Sequence, residues 1–285
     1  METTVLGYPG TGAPRRQVWE TLRDAGLSSI PSGSFPDSVV PELGPETDLR
    51  LAGDTLVSEY REALSLGIET RPALTGPLSF LLLPKPADPG FVPLSLLEPL
   101  LDAYEQLLAD LAAAGVQWVQ LDEPALTAGL TGEELKAADR AYHRLGSLRQ
   151  RPKLLVSTHS GEIGDALAVL ANSPVEAIGL DFAAAPGNAA ALAAIGGIGG
   201  KTLVAGVVDG CGGEPADLPA VLSLCTSLLD LAGELTVSTS CSLPHAPLDQ
   251  DAGTSLARQK VDEVVTLGRW LSGDRVLLGK PCPPG

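Results

Sequence analysis

Four side chains of metal-binding type stand out: His159, Asp181, Cys211 and Cys241. Each directly follows a short apolar run, and the four runs are successive. An imidazole, a carboxylate and two thiols suit tetrahedral zinc. Taken one at a time, the cysteines also read as small buried hydrophobes and His159 as a hydrogen-bonded loop residue. A second constellation is Asp122-Glu123-Pro124, which follows the run Trp118–Leu121. Neighbouring side chains at a strand end point to opposite faces. One carboxylate therefore faces a pocket while the other caps a loop or pairs with a base. Asp122 is the candidate for holding a substrate ammonium.

These residues need a frame, and the chain supplies a regular one. Strand-like runs are expected at Thr3–Gly7, Ser29–Ser32, Arg71–Thr75, Trp118–Leu121, Lys153–Ser157, Ala177–Leu180, Thr202–Val207 and Leu235–Ser238. Helical patterns alternate with them at Asp54–Leu66, Leu94–Gly115, Gly132–Leu145, Asp165–Ala171, Leu218–Ala232 and Ser255–Leu271. In Leu94–Gly115, leucines and Tyr104 recur every three or four residues, which makes one apolar stripe. Eight strands alternating with helices predict an α/β fold, a single (β/α)8 TIM barrel over 1–279 with a frayed tail at 280–285. Phe35–Gly53 carries three prolines and reads as an irregular excursion. In such a barrel the active site lies at the C-terminal strand ends, where all the residues above fall.

Composition sets outer bounds. The chain has 285 residues, 44% hydrophobic and only 4% aromatic, so Leu, Ala and Val must build the core. Formal net charge is −16, which repels phosphate backbones and anionic bilayers. Nucleic acid and membrane are therefore excluded as expected partners. No run reaches bilayer length, the polar start Met1–Val5 gives no signal peptide, and the four cysteines lack a paired short spacing. A cytoplasmic enzyme with free thiols is expected. The glycines of Tyr8–Arg16 match no nucleotide-binding spacing, although Arg15 and Arg16 could take an anionic tail. His143 and Cys225 fall within predicted helices and Cys282 in the tail, away from the strand ends.

Five motifs, VLGYPGTG at 5–12, IPSGSFPD at 30–37, LTGP at 74–77, WVQLDEPAL at 118–126 and STSCSLPHAPLD at 238–249, stand in an order that resembles cobalamin-independent methionine synthase. That family has two related barrels in one chain, and the likeness, from about Thr3 to Arg269, is closer to the N-terminal one. The resemblance implies methyl transfer from a methylated tetrahydrofolate donor to a small thiol, homocysteine, with zinc presenting the thiol as thiolate. It implies His159, Asp181 and Cys241 as zinc ligands, Asp181 being shorter than the family's Glu. The family's second ligand after strand 5 is Gly161 here, and Cys211 on a neighbouring strand is placed to replace it. Asp122 matches the acid that holds the amino group of homocysteine. Glu123 and Ser34 stand beside it as catalytic candidates, and His245 joins Arg15, Arg16 and Asp122 as a substrate-binding candidate.

Where the N-terminal barrel of the family carries Arg-Glu-Leu-Lys against the folate tail, this chain has Arg15-Arg16-Gln17-Val18. The expected function is thus zinc-dependent methyl transfer in methionine biosynthesis. Its rival is a non-catalytic barrel that binds folate and works with a separate catalytic barrel. A thiol alkyltransferase with another donor is the third reading.

Overall fold

The computed structural model describes residues 1–6, 14–32, 42–47, 49, 53–159, 161–243 and 256–273. Eight strands form one parallel sheet in the order β1-β8-β7-β6-β5-β4-β3-β2. They are β1 (Glu2–Thr3), β2 (Ile30–Ser32), β3 (Thr70–Thr75), β4 (Trp118–Asp122), β5 (Lys153–Ser157), β6 (Ala177–Asp181), β7 (Thr202–Val208) and β8 (Glu234–Thr239). The two ends of the sheet approach where β1 meets the residues just before β2: the Thr3 carbonyl accepts from the N–H groups of Ser28 and Ser29 at 3.0 and 3.1 Å. Thr4 Oγ1 adds a bond to the Ser29 carbonyl at 2.8 Å. These contacts close the sheet into a (β/α)8 barrel.

The helices are α1 (Arg15–Ala25), α2 (Gly53–Ser65), α3 (Pro77–Leu82), α4 (Leu97–Ala113), α5 (Gly132–Gly146), α6 (Ala166–Asn172), α7 (Gly187–Ala194), α8 (Leu218–Leu228) and α9 (Leu256–Leu271). In α4 the expected stripe is the buried one: Leu97, Leu100, Leu101, Tyr104, Leu107, Leu108 and Leu111 face inward. α5 opens on a capping box in which Thr131 and Glu134 satisfy each other's backbone N–H. The predicted helix Leu94–Gly115 begins instead with a 3-10 turn, Pro93–Leu96, and Leu218–Ala232 ends in another, Leu229–Leu231. The short helices α3 and α7 carry too few turns for periodicity to reveal them.

Both faces of the strands are buried, as in any parallel barrel. Outward side chains such as Val119, Leu121, Leu154, Val156, Ile178 and Leu180 pack under the helices. Inward, Leu6, Leu155, Ala177 and Val204 form a small apolar plug with Trp118 against it. The plug separates the two ends of the barrel. At the N-terminal strand ends lies a cavity of about 360 Å³ bordered by Glu2, Glu69 and Arg71. At the other end lie the residues singled out by the sequence. Among the described residues no helix is long and apolar enough to cross a membrane. The expected tail at 280–285 lies outside the described residues.

Candidate functional site

The site begins inside β3 and β4. Gln120 and Asp122 are two residues apart on β4 and so share its inward face. Arg71 on β3 is buried and donates Nε to Gln120 Oε1 at 3.0 Å. Its other nitrogens reach Thr4 Oγ1, Ser29 Oγ and the Val5 carbonyl. Burial pulls the guanidinium down to about 10, against the opposing pull of Asp122 and Glu2. Gln120 then passes the chain of bonds on: its Nε2 donates to Asp122 Oδ1 at 2.7 Å.

The same Oδ1 lies 2.7 Å from His159 Nε2, just beyond β5. Asp122 has no exposed surface, and His159 retains 9%. Asp122 Oδ2 is also buried and has no hydrogen-bond partner among the described residues. Ser157 pairs with Asp122 in strand register, and its buried hydroxyl is likewise unpartnered. Such an oxygen is costly to bury unless a donor arrives. The mouth therefore contains a buried carboxylate–imidazole pair with one acceptor, Asp122 Oδ2, unpartnered among the described residues, the kind of atom an ammonium or N–H donor would satisfy.

Glu123 has a different surrounding. Its Oε1 accepts from Leu78 N–H at 2.9 Å and its Oε2 from Ser79 N–H at 2.6 Å, both in the first turn of α3. The Tyr142 hydroxyl of α5 donates to it as well. A carboxylate there satisfies orphan helix donors and meets the positive end of the helix. Burial nevertheless raises its pKa, outweighing those hydrogen bonds. Gly76 makes room for it, because a Cβ at that position would collide with the Glu123 carboxyl. Expected as a catalytic candidate, Glu123 is engaged with helix and tyrosine donors.

The expected zinc ligands divide into separate sets. His159 is bonded to Asp122. Asp181 Oδ1 accepts from the N–H groups of Ala183 and Ala184 at 2.9 and 2.8 Å, and burial raises its pKa. Cys211 and Cys241 do meet, with their sulfurs 2.9 Å apart. Burial and the neighbouring Cys211 thiol push the Cys241 thiol up to about 12. Among the described residues, no three His, Cys, Asp or Glu side chains gather to hold a metal ion. The residues present thus do not fit the four-ligand zinc centre. Gly161 adds to this, since a side chain built there would press on Thr127.

Arg15 is paired with Glu59, and Arg16 with Glu20. Ser34 and His245 lie outside the described residues. Sequence reasoning missed Arg71, Gln120 and Asn188. Asn188 ties the loops after β5 and β6 together through Gly161 O, Asp181 O and Ile163 N–H. A polar residue two before Asp122 in an apolar strand was the available signal for Gln120.

Residues 38–232 match the family described as cobalamin-independent synthase, N-terminal domain. The chain belongs to that family. A 5-methyltetrahydropteroyltriglutamate–homocysteine methyltransferase of Streptomyces avermitilis is 51% identical over 248 residues, covering 82% of this chain and 32% of that protein. The enzyme of that name in Mycobacterium tuberculosis is 42% identical over 243 residues, again 82% of this chain and 32% of the relative. The chain thus spans about a third of the length of these curated relatives. Among solved structures, a B12-independent methionine synthase from a Shewanella species superposes with a TM-score of 0.69 at 15% identity, covering 97% of this chain and 99% of that one. A methyltransferase from Methanosarcina mazei gives 0.68 at 11% identity, covering 95% and 94%. At such identities the structural likeness speaks for the barrel fold alone. The family resemblance expected from the motifs of this cobalamin-independent synthase domain holds, and it holds for the N-terminal domain in particular.

Proposed function

We propose that this barrel is the folate-side barrel of a methionine-synthesising methyltransferase: it holds a methylated tetrahydropteroylpolyglutamate and works with a catalytic barrel that carries the thiol. The observation that carries the reading is Asp122. Its carboxylate is fully buried, held at Oδ1 by Gln120 and His159, and unpartnered at Oδ2 among the described residues. A pteridine presents N–H donors of the kind such an oxygen accepts. Membership of an N-terminal-domain family supports that assignment, and relatives named for a methylated pteroyltriglutamate and homocysteine support the pair of substrates.

In this reading no step runs through a zinc ion on this chain, because His159 and Asp181 are hydrogen-bonded apart from the two cysteines and, among the described residues, no three ligand-type side chains gather. Arg71 and Gln120 act as positioning residues. They fix the rotamer of Asp122 and supply charge compensation from inside the barrel. Arg15, Arg16, Ser34 and His245 remain proposed contacts to the ligand.

The test is calorimetric titration of 5-methyltetrahydropteroyltriglutamate into the full chain, with a parallel transfer assay using homocysteine. Saturable binding at one site per chain without turnover is expected, with turnover appearing when a catalytic barrel of the family is supplied. Absence of binding, or turnover by the chain alone with zinc bound, would overturn the reading.

A further inference from the structure

The contact between Cys211 and Cys241 has a chemistry of its own, independent of the folate reading. Cys211 follows β7 and is exposed; Cys241 follows β8 and is half-buried. Thirty residues separate them in sequence, yet their sulfurs approach to 2.9 Å. The backbone enforces the approach. β7 carries a register shift between Gly206 and Val208, and Ser240 N–H then bonds the Val208 carbonyl at 2.8 Å. Gly210 lies so close to the β8 loop that a Cβ there would stand 2.6 Å from the Cys241 carbonyl oxygen. Asp209 Oδ1 accepts from the N–H groups of Cys211 and Gly212, both at 3.0 Å, and so fixes the turn that presents the first sulfur. The Cys241 carbonyl accepts from Thr239 Oγ1, which fixes the second.

We propose that Cys211 and Cys241 form a dithiol modification site that hydrogen peroxide converts to an intrachain disulfide joining the β7 and β8 loops at the barrel mouth. Cys211, the exposed partner, reacts first. Its sulfur attacks the peroxide O–O bond, an S–O bond forms, and the departing oxygen leaves as water with the thiol proton. The product is a sulfenic acid on Cys211. The Cys241 sulfur then attacks the Cys211 sulfur. The S–S bond forms, the S–O bond breaks, and the oxygen leaves as a second water with the Cys241 proton. Two thiols are oxidised and one peroxide is reduced to two waters. Proximity makes the second step intramolecular, so it outruns further oxidation of Cys211. Cys225, enclosed on α8, does not take part.

The full chain, reduced and freed of reductant, is treated with one equivalent of hydrogen peroxide. Remaining thiols are alkylated under denaturing conditions. Cleavage at acidic residues separates the cysteines, since Glu214, Asp217, Asp230 and Glu234 lie between positions 211, 225 and 241. The expected result is a loss of two hydrogens and a linked pair of peptides holding Cys211 and Cys241. The link persists in Cys282→Ser and is absent from Cys211→Ser, whose far-ultraviolet spectrum reports that it still folds. Recovery of both cysteines alkylated, a sulfinic acid on Cys211 with Cys241 free, or a link only to Cys282 would each overturn the proposal.

Discussion

At position 122 the backbone still follows β4, so its side chain continues the inward face begun by Gln120. One step further the chain enters a 3-10 turn, and Glu123 swings to the start of α3. Two adjacent acids thus have distinct physical tasks, and their variants should separate. Asp122→Asn keeps the shape and removes the charge. It should weaken binding of the triglutamate about tenfold or more while leaving the melting temperature within a few degrees, since hydrogen bonds to charged groups contribute about 1.5–3 kcal/mol. Glu123→Ala instead leaves two backbone N–H groups and the Tyr142 hydroxyl without their acceptor. A stability loss of about 3–5 kcal/mol is expected, read by urea unfolding.

The proton on Glu123 gives a second, pH-resolved expectation. Burial raises its pKa, so the folded protein holds this proton at pH values where the unfolded chain has released it. The unfolded state then binds fewer protons, and stability falls as pH rises through that window. Its contribution is complete below the ordinary carboxylate pKa and is lost as pH climbs through the raised one. Glu123→Gln does not titrate. The parent's stability minus that of Glu123→Gln should therefore fall from about pH 4 upward; a difference that rises with pH contradicts the assignment.

Among the elements, the strands were the most legible. Their expected bounds differ from the observed ones by about a residue in most cases, because an apolar run buried on both faces leaves a plain mark. The first strand is the exception: Thr3–Gly7 was expected, the observed pairing covers Glu2–Thr3, and Gly7 lies outside the described residues. Side-chain direction was harder to read. A ligand-type residue after each of four strands says nothing of what its atoms bond: His159 meets Asp122, and Asp181 meets N–H groups of the loop that follows it. Barrel closure makes an element-scale prediction. α9 lies against β1 through Gly268, where a Cβ would collide with the Thr3 methyl. Gly268→Ala should cost about 1–3 kcal/mol by overpacking, with the sheet signal in far-ultraviolet circular dichroism retained.

For the whole molecule, the fold and the family were visible in the motifs, because those motifs line the strand ends that a barrel brings together. The side of the reaction was less visible, since two related barrels share ligand-type residues at equivalent places. In this chain Cys211 and Cys241 meet, while His159 bonds to Asp122 and Asp181 to N–H groups of the loop that follows it. Metal analysis of the chain purified without chelator should find well below one zinc per molecule. The net charge of −16 bears on the ligand too. A polyglutamate tail approaches an acidic body, so its reception depends on local cations, and Arg15→Ala with Arg16→Ala should cost the triglutamate more affinity than the monoglutamate.

A crystal structure of the full chain with 5-methyltetrahydropteroyltriglutamate bound would test the account most directly. A nitrogen donor of the ligand is expected within hydrogen-bond distance of Asp122 Oδ2, with the His159 ring still on Oδ1. A ligand seated at the opposite end of the barrel, or a zinc ion coordinated by His159 and Cys241, would contradict it.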